Sequence, residues 1–269
     1  MDHLTALTIR RGKAVLREVQ RMQSSVFQQE SSTALLVRLA DALSTMNERL
    51  EFPENPPSPE TIRVDCREAS KTLAYIIPVI GIVQRSSNIR IAFEMYEPLR
   101  FLCLNLFSHN QDSELDLPNL VLSSEWDYSP LFYPTALERG GSPAYEDFIL
   151  LGIPACDSQN PLILPLMAHE LGHAFWHRIV MKARFGQPFA DLRVNLEKQA
   201  HKIATDNWEI ICNAIGIEID DYPAPSLEDL EINSSLRNSL ETFRSICRSQ
   251  AEETFCDLFG IAIFGHSYL

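Results

Sequence analysis

Positive charge is what this sequence is short of. Its 23 Lys and Arg face 36 Asp and Glu, for a formal net charge of −13. Nucleic-acid and anionic-membrane surfaces need clustered Lys and Arg, so neither is an expected partner, and a protein or peptide is. No uncharged apolar run reaches the roughly 18 residues of a spanning helix. The opening MDHLTALTIRRGK carries no apolar core and no small-residue cleavage site, so no secretory signal is expected. Cysteine pairs at C-x-x-C spacing are also missing. Cys66, Cys103, Cys156, Cys212, Cys247 and Cys256 are scattered, mostly in apolar surroundings, as reduced residues of a cytoplasmic protein would be. None has a spacing that makes it a zinc ligand by itself.

What is present describes an ordinary globular chain, 45% hydrophobic and 22% charged. Its 269 residues suffice for a full core. Apolar positions at threes and fours predict helices over Asp2 to Gln29 and Ser32 to Leu50. These make a helical hairpin over residues 1–57, closed by the Pro-rich FPENPPSP; such a stripe reads as core or as a surface for a regulatory partner. Residues 58–269 form the second region. Ser58-Pro59-Glu60 starts a helix expected to run to about Ile77, where Pro78 and Gly81 interrupt it. Another helix is expected over Ile89 to Phe107. Asn119 to Asp127 and Asp147 to Ile153 are strand-like and are read as an antiparallel pair. A helix over Phe189 to Ile215, a short acidic one from Ser226 and a long one from Ser234 to Phe264 follow. The fold class is thus mostly α with a small antiparallel sheet (α+β). The apolar run before FGHSYL suggests a domain continuing past Leu269.

The chemistry concentrates in His169-Glu170-Leu171-Gly172-His173, inside the apolar stretch from Pro161 to Val180. Pro165 fits a helix only in its first turn, so this one begins near Leu164. Residues four apart share a helix face, so both imidazoles can close on one metal ion. Glu170 then stands beside it, where a carboxylate can take a proton from a zinc-bound water. The plainer reading is a core helix with hydrogen-bonded histidines, but polar burial without a ligand costs several kcal/mol. Gly172 costs about 1 kcal/mol in a helix relative to Ala, which a close approach by another segment would explain.

A catalytic zinc site takes three protein ligands. His177 lies a turn beyond His173, too far along the helix for all three histidines to share one ion, and reads as a supporting or surface residue. Glu253 in AEETFCDLFG is the better third ligand, with Asp257 four residues on to orient an imidazole; Glu252 is its rival. With this pair the chain resembles the gluzincin metallopeptidases, the thermolysin-like group in which HExxH is followed on a later helix by E-x-x-x-D. The resemblance covers two helices and their order. It implies a zincin-like core, Zn2+ held by His169, His173 and Glu253, Glu170 as general base, and Asp257 behind a ligand.

The expected function is therefore a zinc metallopeptidase, an endopeptidase of cytosolic proteins, holding an extended substrate along the edge of Asp147 to Ile153. His201 and Tyr222 are weak candidates for stabilising an oxyanion. The alternative is a helical interaction or regulatory protein whose HExxH holds metal structurally or not at all. A third is a defence protease silenced by its N-terminal helices.

Overall fold

The computed structural model describes residues 3–27, 29–52, 58–86, 93–107, 118–127, 130–133, 147–180, 205–215 and 234–268, with scattered positions between 191 and 203. The chain forms two compact units, Met1–Glu170 and Leu171–Leu269.

In the first unit, α1 (His3–Gln23) and α2 (Glu30–Glu51) pack together and against α3 (Pro59–Arg85). Their buried positions recur at threes and fours, as in Leu35, Leu36, Leu39 and Leu43 of α2, which turns one face of each helix inward. Ser58 caps α3, its hydroxyl accepting from the Thr61 N–H at 3.1 Å. The helix then outruns its expected end, passing through Pro78 and Gly81 to Arg85. A proline inside a helix costs roughly 3 kcal/mol. Burial of Ile80, Ile82 and Val83 in the last turns offsets it, at about 1.5 to 3 kcal/mol each. A fourth helix, α4 (Phe93–Phe107), continues through Pro98.

The sheet has the order β1-β3-β2, with β1 (Asn119–Glu125), β2 (Leu131–Tyr133) and β3 (Phe148–Pro154). β1 and β3 run parallel, from Asn119 opposite Phe148 to Glu125 opposite Pro154. Only β2 is antiparallel to β3, so the sheet is mixed and the expected antiparallel pair is corrected. The reason is visible in the residues. NLVLSSE and FILLGIP are buried nearly end to end without alternation, the mark of strands covered on both faces, which parallel pairs require. A second correction follows, because Asp147 to Ile153 supplies the central strand and not an edge.

Side chains from the start of α2 close the outer side of β1. The Gln29 amide accepts from the Leu122 N–H at 2.9 Å and donates to its carbonyl at 3.1 Å, while the Ser31 hydroxyl donates to the Leu120 carbonyl. One glutamine thus takes the place of a neighbouring strand. Val121, Phe148 and Leu150 complete the core begun by α1, α2 and α3.

Helix α5 (Leu164–Phe175) carries the chain from the first unit into the second and ends in a π-turn, Trp176–Val180. The second unit adds α6 (Trp208–Ile215) and the long α7 (Ser234–Phe264). Residues 181–190 and 216–233, with the helix expected from Ser226, lie outside the described residues. Among the described residues no helix is long and apolar enough to cross a membrane.

Candidate metal centre

Asn160 and Pro161 set where α5 begins. The Asn160 side chain accepts from the Leu162 N–H at 3.1 Å, a single 3-10 turn follows, and α5 starts at Leu164. Pro165 thereby falls in the first turn, where its missing N–H has no partner to lose. Met167, Ala168, Leu171 and Ala174 are fully buried and fix the rotation of the helix. His169, Glu170 and His173 are left half-buried on its remaining face.

Within the second unit, Gly172 lets α7 come close. A Cβ there would sit 3.0 Å from the Cys256 Cα and 3.1 Å from its Sγ, the close approach expected of this glycine. Phe175 and Trp176 pack beside it on Phe255 and Phe259, at ring separations of 5.2 to 6.2 Å. This contact brings the α7 acids to His173. Glu252 Oε1 lies 2.7 Å from His173 Nδ1 and 2.9 Å from His177 Nε2, and Glu253 Oε1 lies 3.8 Å from His173 Nε2. Burial pushes the Glu252 carboxyl up, but hydrogen bonds from the two imidazoles outweigh it and hold the group down at about 2. Glu252 is therefore a carboxylate at any ordinary pH.

His169, one turn back on α5, His173 and Cys256 form a His-His-Cys group that could hold a metal ion, their ligand atoms lying within 4.8 Å of one another. Imidazole and thiolate are donors zinc takes, so the three residues of this group fit that ion.

The remaining expected residues divide. Glu170 accepts from the Phe132 backbone N–H of β2 at 2.7 Å. Glu253 is half-exposed beside His173 Nε2. Asp257 accepts from the Tyr268 hydroxyl at 2.6 Å. His177 reaches Glu252 and so supports the same carboxylate that holds His173. His201 and Tyr222 lie outside the described residues. Cys256 is what sequence reasoning missed, and the signal was its spacing: four residues after Glu252 and three after Glu253, it shares their helix face. Comparison with protein-family models, with curated proteins and with solved structures finds no match to this chain.

Proposed function

We propose that the chain is a zinc-dependent metallopeptidase that hydrolyses peptide bonds, with His169, His173 and Glu253 holding the ion and Glu170 as general base. The observation that carries this reading is the division of labour on His173. Its Nδ1–H donates to Glu252, which fixes the tautomer and puts the lone pair on Nε2 for a metal ion, and Glu253 stands on that Nε2 side. Glu252 thereby does the orienting work that the E-x-x-x-D pattern assigns to Asp257. When bound, zinc polarises a peptide carbonyl and brings the pKa of a water toward 7. Glu170 would be the residue that accepts a proton from the attacking water and passes it to the departing amine, with the Phe132 N–H keeping its carboxylate aimed.

A second reading rests on Cys256. With His169 and His173 it makes a group of three metal donors, and thiolate ligands are common at the structural ions of interaction proteins. Zinc content and hydrolysis of a fluorogenic peptide library separate the two. On the peptidase reading, Glu170→Gln keeps stoichiometric zinc and loses turnover, and Glu253→Ala loses both. Zinc lost in Cys256→Ser but kept in Glu253→Ala, with no hydrolysis by the unaltered chain, would establish the structural reading instead.

A further inference from the structure

Glu125 ends β1 almost wholly buried, at 7% exposure. It accepts from Arg85 Nε of α3 at 2.9 Å and from the Ser123 hydroxyl at 2.5 Å, and the Tyr133 ring of β2 lies beside it, close enough for its carboxylate to act on the phenol. These groups meet over a bare point of the central strand. A Cβ at Gly152 would lie 2.7 Å from Glu125 Cγ and 3.3 Å from Tyr133 Cε2. A buried carboxylate paired with a part-exposed guanidinium contributes little net stability, so such a cluster is better understood by what it fixes in place. What it fixes is β2, which pairs with β3 over three residues only, Leu131 to Tyr133.

Successive residues of an antiparallel strand turn their N–H groups to opposite sides. With Tyr133 anchored to the ends of β1 and α3, the preceding N–H, that of Phe132, is given its direction, and it ends on Glu170 Oε2 at 2.7 Å. We infer that Arg85, Glu125 and Tyr133 are positioning residues for the Glu170 carboxylate, acting through β2 and the Phe132 N–H. The catalytic consequence rests on the peptidase reading, whereas the coupling of strand to carboxylate does not.

The test uses the full chain, metal-free, with 15N-labelled phenylalanine. Glu170→Gln replaces the charged acceptor and so moves the Phe132 amide resonance. Tyr133→Phe and Glu125→Gln are expected to move the same resonance while the protein stays folded. In the zinc-loaded protein these two variants should lower kcat on the peptide library about 10- to 100-fold with KM nearly unchanged. Should Glu125→Gln fail to fold, Tyr133→Phe, which keeps the ring, carries the test. A Phe132 resonance unmoved by Tyr133→Phe overturns the inference, and so does an unchanged kcat in a variant whose resonance has moved. Absence of hydrolysis by the unaltered chain overturns the peptidase reading alone, and the amide signal still decides the coupling.

Discussion

His173 Nδ1 and Glu252 Oε1 lie 2.7 Å apart although 79 residues separate them in the chain. A carboxylate in that place holds the imidazole in the tautomer that puts the lone pair on Nε2. Glu252→Gln should therefore keep the fold and weaken zinc binding about 10- to 100-fold, read by competition against a chromogenic chelator. Unchanged affinity would mean that Glu252 is a structural partner only.

Gly172→Ala sets two effects against each other. Helix propensity improves by about 1 kcal/mol, but the new methyl meets the Cys256 Cα at 3.0 Å, and overpacking of this kind costs about 1 to 3 kcal/mol. The expected outcome is a lower thermal midpoint. Cys256→Ala should restore it only in part, because it removes the Sγ at 3.1 Å and leaves the backbone Cα at 3.0 Å; full recovery in the double variant would contradict the packing described.

Tyr133 supplies a pH dependence. Burial, and then the neighbouring Glu125 carboxylate, push its phenol up from 10.0 to about 12. A raised pKa means that the folded state favours the neutral phenol. The contribution is complete below about pH 10 and is lost as pH climbs through about 12, and for a half-buried group it is on the order of 1 kcal/mol. Ultraviolet titration should show late-forming tyrosinate that disappears in Tyr133→Phe. In Glu125→Gln the same phenol should ionise earlier.

Gln29→Ala leaves the Leu122 N–H and carbonyl buried without their amide partner. The expected loss is about 1 to 3 kcal/mol, measured as a shift in the denaturant midpoint. Gln29→Glu should also destabilise, since a carboxylate cannot donate to the Leu122 and Ser86 carbonyls that the amide nitrogen serves.

The parts of this molecule that a sequence can announce are those with a local cause. Ser58-Pro59 caps α3 because the capping hydroxyl is three residues from its donor, and Pro165 dates the start of α5 for the same kind of reason. Gly172 was legible as a close approach, since a glycine in a buried helix needs an explanation. Where α3 ends was not, because Pro78 argues locally for a break and the apolar face of Ile80 and Val83 argues for continuation, and only the packed core decides. Strand direction is carried by the missing alternation in DFILLGI, which marks a strand covered on both faces and so favours a parallel neighbour over the antiparallel one that its β-rich composition equally allows. Of the site, the HExxH turn and the acid pair could be read directly. The choice between Glu252 and Glu253 at each nitrogen of His173, and the arrival of Cys256, depend on how α7 is rotated, which one helix face alone does not specify.

A glutamine standing in for a strand has a consequence beyond stability. On the far side of β1 the Leu122 N–H and carbonyl and the Leu120 carbonyl are already paired, so domain swapping or fibrillar stacking through those positions must first expel Gln29 and Ser31. Resistance to self-association at that flank therefore hangs on two polar side chains, Gln29 and Ser31, and their removal exposes a templating surface.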